Sequence, residues 1–397
     1  MKYVDFLVPE EYREMKNHGE VYVDIRALLV LQEIIKVDET KETIKNKWKS
    51  TIEKYLVTPE FESCFQQLIT LFPGTLANIF VKNFVDTKNL HKANQIFKDL
   101  QQVFIEMLKE NDWLDEELKD VLKQEVLDLK ASIGIPDEHK DQENIDKMYS
   151  RIGNFENQTY LSLIQNLLKM NSEETFLRVA RREGITYLGS TMGFNAHYYK
   201  PNHRTTIGPL LLNFPLIDRN LPEWNHIATL GYLLGHEIGH AFDANDFFIN
   251  QMRNGIEMSA KMEEIFEDRV DCIIQKYDKY QFPDGSFSSG TRTQTEDSAD
   301  MIGFNLAYRL FKKLNDTEKL PSFEKYTFEQ QYFHRLGYIR CFAEMNNQTI
   351  LLAQADTHSA HKFRVNGMMS NSEEFAKAFN CPKNSAMNPE KKCPLFK

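Results

Sequence analysis

The stretch Leu230–Asp246 reads LGYLLGHEIGHAFDAND, with His236 and His240 four residues apart and Glu237 directly after the first. On a helix, positions i and i+4 share a face, so the two imidazoles can hold one metal ion between them. Glu237 then sits where it can take a proton from a metal-activated water without being a ligand itself. A second reading has the same residues as an amphipathic helix that buries Leu230, Leu233, Leu234 and Ile238 and leaves its histidines at the rim. The metal reading needs a third protein ligand. Downstream, TQTEDSADMIGFNLAYRLF places Glu296 and Asp300 four apart, facing the same way on a helix. Ala299, Gly303 and Ala307 form a small-residue stripe there, which lets a neighbouring helix come close. Thr293-x-x-Glu296 is also a capping box, in which Glu296 only ties off a helix start. The residues alone leave both choices open.

The elements that must position these groups are mostly helical. In residues 1 to about 185, QIFKDLQQVFIEMLKEN carries Ile96, Leu100, Val103, Phe104 and Leu108 at helical spacing. DEELKDVLKQEVLDLKASIG repeats the pattern through Leu118, Val121, Leu122, Val126 and Leu129, with Gly134 near its end. Helix is expected again from Thr159 to Arg182. Near Gly184 the texture changes to aromatic and β-branched residues punctuated by Gly, Pro and Asn, which predicts short strands and turns. Further helices are expected from about Glu223 to Asn245, Ser259 to Lys279 and Thr295 to Lys313. The main boundary falls near residue 190, giving a helical subdomain over 1–190 and a domain over 191–397 that carries the candidate catalytic residues.

The bulk properties narrow the function classes. With 397 residues and 42% apolar content the chain can bury a sizeable core. Its net charge is −10, with Lys and Arg scattered, which argues against nucleic acid as a partner. No apolar run is long enough to span a membrane, and the start lacks the pattern of a signal peptide. The five cysteines, Cys64, Cys272, Cys341, Cys381 and Cys393, form neither a dense disulfide framework nor a zinc ribbon.

HExxH followed by ExxAD resembles the neprilysin and endothelin-converting-enzyme family of zinc metallopeptidases. The tail DTHSAHKFRVNGMMSNSEEFAKAFNCPKNSAMNPEKKC is similar to that family's ending almost throughout, and FNAHYY resembles its substrate-edge segment. The implied fold is mainly α (α+β): a helical zincin-type domain with a small β-sheet next to the HExxH helix, preceded by a helical subdomain. The implied activity is zinc-dependent hydrolysis of small peptides, with one zinc ion per chain. By this resemblance His236, His240 and Glu296 bind the metal and Glu237 is the general base. Asp300 and Asp243 orient the ligand histidines, and His358 stabilises the oxyanion. Arg364 grips a substrate carbonyl, while Asn195 and Ala196 bond the peptide main chain. The resemblance also pairs Cys272 with Cys393 and implies an extracellular or cell-surface setting, although no signal peptide or transmembrane segment is visible.

The match has departures. The chain is expected to correspond to the family's C-terminal catalytic part, without the N-terminal half of its ectodomain. Cys64, Cys341 and Cys381 would lack the upstream partners they have in the family. The glutamate ligand is followed by Asp297 where the family usually has Asn. Arg340 stands where the family often has Trp, near the pocket for the residue after the cleaved bond, and is expected to admit acidic or polar side chains. The alternative function is a catalytically silent binding module that keeps the fold and metal. The sequence leaves the oligomeric state unknown.

Overall fold

The computed structural model describes residues 71–153, 158–180, 194–245, 247, 258–315, 318–340 and 345–396. Cys64 and Cys341 lie outside them. The chain divides into two compact units, residues 1–80 with 135–192 and residues 81–134 with 193–397. In the first unit, helices Gln142–Tyr149 and Tyr160–Ala180 bury Ile145, Leu167 and Met170. The chemistry lies in the second.

That unit is mainly helical around one small sheet. In chain order its principal elements are α1 Thr87–Glu110, α2 Glu116–Asp128, β1 Lys130–Ile133, β2 Ala196–Tyr199 and β3 Arg204–Ile207. There follow α3 Tyr232–Gly239, α4 Ala260–Tyr277, α5 Gly290–Lys312, α6 Phe328–Tyr338, α7 Asn347–Ala355 and α8 His361–Asn371. The stripe in α1 turns inward as its spacing predicts: Ile96, Leu100, Val103, Phe104 and Leu108 are all buried. The Asp86 carboxylate accepts from Lys88 N and caps its start.

The helical pattern expected to run on to Gly134 stops earlier. α2 ends at Asp128, and Lys130–Ile133 pairs in parallel with β3, so Leu129 leaves the helix in an extended conformation. Gly134, at φ +79°, closes a strand rather than a helix. The sheet order is β1-β3-β2, with β2 antiparallel to β3, so β2 forms an edge. The third long helix also begins earlier than expected, at Gly290, with Ser289 as N-cap. Glu296 therefore lies in the second turn, and the capping-box reading falls away. The helix expected from about Glu223 to Asn245 does start at Glu223 and runs through a π-helical segment, Ile227–Gly231, into α3, but it ends at Gly239, so Asp243 sits in the turn that follows.

α3 and α5 cross backbone to backbone. A Cβ added at Gly235 would lie 3.0 Å from the Cα of Gly303, and one at Gly303 would lie 2.5 Å from the His236 nitrogen. No side chain larger than hydrogen fits at that crossing, which is why the small-residue stripe faces this way. Aromatic packing fills the space behind it: Phe104, Phe242, Trp113, Phe247, Phe266 and Phe396 form one connected cluster. The Cys272–Cys393 disulfide ties α4 to the C-terminal tail across 121 residues of sequence, with Cα atoms 5.5 Å apart.

Candidate metal centre

α3 presents His236 and His240 on one face, and α5 brings Glu296 up to them. The two Nε2 atoms are 3.0 Å apart. Glu296 Oε2 lies 3.2 Å from His236 Nε2, and Oε1 lies 3.5 Å from His240 Nε2. Ligands held 2.0–2.1 Å from a tetrahedral zinc ion stand about 3.3 Å from one another, so the three groups have the spacing the metal requires. Among the described residues they are the one such cluster of three or more His, Cys, Asp or Glu side chains.

The surroundings fix which ring nitrogens are free. His236 Nδ1 lies 2.8 Å from Asp300 Oδ1, and His240 Nδ1 lies 3.1 Å from Asp243 Oδ2. A carboxylate at Nδ1 places the proton there and leaves the Nε2 lone pair bare. Two imidazole Nε2 atoms and a carboxylate then converge on one point, where a divalent cation can take the place of an Nε2 proton. His236 is buried rather than at a solvent rim, His240 and Leu233 are partly buried, and Leu230, Leu234 and Ile238 are fully inside the core.

Burial alone would raise the Asp300 carboxyl, but Arg364 and His236 hold it well below the usual carboxylate range. Burial likewise opposes ionisation of Glu296, and the two histidines override it. For His240 burial works against protonation, while Asp243 and Glu296 draw it well above an ordinary imidazole. The positive charge these carboxylates call for is the charge a divalent metal brings.

Glu237 lies on α3, buried, with its Oε2 unpartnered in a cleft of about 680 Å³. Leu233, Asn195, Ala196, Arg340, His358 and Arg364 also line that cleft. Ala196 opens the edge strand β2, and the Asn195 carbonyl accepts from Gly208 N at 3.0 Å. His358 is half-exposed, with Nδ1 2.9 Å from Asp356 Oδ1 and Nε2 3.2 Å from Glu296 Oε2. Arg364 is deeply buried and grips Asp300 through Nε at 2.6 Å and Nη2 at 2.7 Å. Arg340 lies over the Tyr232 ring, 5.5 Å from its centre.

Three residues here, Tyr232, His197 and His361, went unremarked in the sequence, and Asp297 stood out there only as a departure from the family. Tyr232, one helical turn before His236, donates its hydroxyl to Asp300 Oδ1 at 2.5 Å. That i, i+4 spacing is a signal the sequence carried. His197, two residues past Asn195, lines the cleft; burial lowers its pKa while the Glu237 charge opposes the shift. Asp297 is fully buried, and burial raises its carboxyl well above the usual range, against hydrogen bonds from Thr293 and Ser359. His361, three residues past His358, lines the same cleft.

Fold and site together define a zincin-type metallopeptidase architecture: an HExxH helix, a glutamate from a second helix and an edge strand beside them. Residues 195–395 match the family model described as Peptidase family M13, and residues 25–136 match a second model of the same description. The chain belongs to peptidase family M13, whose members are zinc-dependent. It is 26% identical over 368 residues to Neprilysin-11 of Caenorhabditis elegans, covering 91% of this chain and 43% of that protein. To mouse neprilysin it is 25% identical, covering 85% and 46% respectively. The chain thus spans less than half the length of these relatives. Among solved structures, the inhibitor complex of Mycobacterium tuberculosis zinc metalloprotease ZMP1 superposes with a TM-score of 0.67 at 19% identity, covering 87% of this chain and 50% of that one. PepO of Lactobacillus rhamnosis gives 0.66 at 18%, covering 82% and 50%. Among the described residues, no helix is long and apolar enough to cross a membrane.

Proposed function

We propose that this chain is a zinc metalloendopeptidase that hydrolyses peptide bonds in small peptides, with one zinc ion held by His236, His240 and Glu296. The observation that carries the reading is the convergence of those three donors beside an unpartnered Glu237 carboxylate oxygen in the wall of a cleft. Zinc, when bound, supplies Lewis acidity that polarises the scissile carbonyl and makes a water acidic enough to attack.

The chain's own residues do the rest. Glu237 takes the proton of the attacking water at Oε2 and returns it to the leaving amine, so no covalent intermediate with the protein is needed. As an imidazolium, with one N–H facing Asp356, His358 donates from Nε2 toward the oxyanion that develops on the carbonyl. Asp300 and Asp243 hold the ligand imidazoles in one tautomer and raise their basicity. Arg364 acts on the substrate carbonyl from its anchorage on Asp300. The edge of β2, with Asn195 and Ala196, takes the peptide main chain in an extended pose, as exposed strand edges do. The Cys272–Cys393 disulfide fits an extracellular or cell-surface setting, since such bonds persist in oxidising compartments.

Metal analysis tests the ligand set without reference to activity. The purified chain is expected to retain one zinc per molecule after dialysis, and His240→Ala and Glu296→Gln are each expected to lose it. Stoichiometric zinc in the His240→Ala, Glu296→Gln double variant would place the metal elsewhere and overturn the assignment.

A further inference from the structure

Two guanidinium groups approach Asp300, and only one is satisfied. Arg364 makes two short bonds to the Asp300 carboxylate, which also receives the Tyr232 hydroxyl and faces His236. Little acceptor capacity is left for Arg340, whose Nη2 stands 3.9 Å from Asp300 Oδ1. Its direct bond is a long one, 3.4 Å, to the Tyr232 hydroxyl, and its Nε is buried with no partner among the described residues. The Arg340 side chain is 14% exposed. A cation this enclosed is costly unless its donors are paired.

Arg340 also occupies a particular place. It lines the catalytic cleft and a second cavity of about 1050 Å³, and His358, His361 and Arg364 line both as well. The second cavity continues along Phe282, Leu352 and Lys362. On the wall shared by the two cavities Arg364 is compensated by Asp300, and Arg340 is the cation without a close counter-charge among the described residues. At His361, burial and the charges of Arg340, Arg364 and His358 all push the imidazole pKa down, with Asp300 opposing. Asp356 is the acidic residue lining the second cavity, and it is engaged by the backbone and the ring of His358, both at 2.9 Å. Among the described residues Asp300 is the carboxylate that comes within 4.0 Å of Arg340, and the fork stays open toward an anion carried by a bound peptide.

We propose that Arg340 is a specificity-determining residue whose guanidinium takes a carboxylate of the bound peptide at the wall between the catalytic cleft and the second cavity. The planar fork of an arginine matches a carboxylate with two parallel bonds, and in an enclosed site such charge-assisted pairs discriminate strongly against neutral groups. The carboxylate is either an Asp or Glu side chain or the free C-terminus of a short peptide. This inference rests on the peptidase reading of the same site.

The test uses the zinc-loaded chain and a set of labelled hexapeptides. The set carries Asp, Glu, Asn, Gln or Leu at each position in turn, and each peptide is made with a free or an amidated C-terminus. Binding is read by fluorescence anisotropy with Glu237→Gln, and hydrolysis is read with the unaltered chain. The proposal expects carboxylate-bearing peptides to bind at least about tenfold more tightly than their neutral counterparts, as a charged hydrogen bond allows. Arg340→Gln in the Glu237→Gln background is expected to collapse that ratio toward one, and Arg340→Lys to restore part of it. A preference that follows the acidic side chain, whatever the terminus, identifies an internal residue; one lost on amidation identifies the C-terminus. Equal binding of acidic and neutral peptides overturns the proposal, as does a preference that survives Arg340→Gln or the binding of no peptide at all. Selective binding without hydrolysis would sustain the role of Arg340 while sinking the peptidase reading. Hydrolysis without selectivity would do the reverse.

Discussion

At the scale of single residues, Asp300 joins more of the site than any other side chain. It is fully buried and meets His236, Arg364 and Tyr232 at once. Asp300→Asn keeps the shape but removes the charge that aligns His236 and compensates Arg364. Zinc affinity is expected to fall about 10–100-fold, the usual effect of losing a carboxylate behind a ligand histidine. Stability is expected to fall by about 3–5 kcal/mol, because a buried cation is left without its counter-charge. Chelator competition and thermal denaturation measure the two effects; a variant with unchanged zinc affinity would show that Asp300 does not position His236. The sequence made the chemistry of these residues legible where types and spacing coincide, as in His236, Glu237 and His240. It did not reveal the two hydrogen bonds that Arg364 donates to Asp300, because 64 residues of chain separate them and only packing makes them neighbours.

At the scale of elements, the site depends on how closely two helices pass. The Gly235–Gly303 contact lets α5 carry Glu296 within reach of both histidines. Gly303→Ala would put a methyl group 2.5 Å from the His236 nitrogen, in backbone that cannot swing aside. The helices must separate, with an expected loss of about 1–3 kcal/mol and a weaker zinc site. Gly337→Ala serves as the comparison: its Cβ would meet the flexible end of Met369 at 3.4 Å and Val365 at an ordinary 3.8 Å. That change is expected to leave the denaturation midpoint unchanged or slightly raised, since alanine favours helix more than glycine does. Equal midpoints for the two variants would contradict the close-crossing account. The helices were readable from their apolar spacing, and so was the stripe of Ala299, Gly303 and Ala307. What misled the reading was Lys130–Ile133, four residues that continue a helical pattern but pair with β3 instead. A partner 74 residues downstream decides that conformation, and local pattern cannot see it.

At the scale of the whole molecule, the second unit is closed at its far end by the C-terminal tail. The Arg269 guanidinium donates to the carbonyls of Pro394 and Leu395, and Phe396 is buried in the aromatic cluster behind α3. The Cys272–Cys393 disulfide holds this closure. Replacing both cysteines with serine is expected to cost about 2–5 kcal/mol, visible as a lower denaturation midpoint. Midpoints unchanged by the substitution or by reductant would show that the aromatic packing suffices alone. The family resemblance was legible in this tail, yet the chain spans only 43% to 46% of the relatives compared above. Whether this portion works as an enzyme is therefore the central claim. Hydrolysis of short peptides by the purified chain, with zinc content measured on the same sample and Glu237→Gln beside it, tests that claim most directly. Chelator-sensitive cleavage by the native chain is expected, with full zinc but no cleavage in the variant. Stoichiometric zinc with no cleavage of any peptide by the native chain would contradict it and point to a binding module that keeps the fold and the metal.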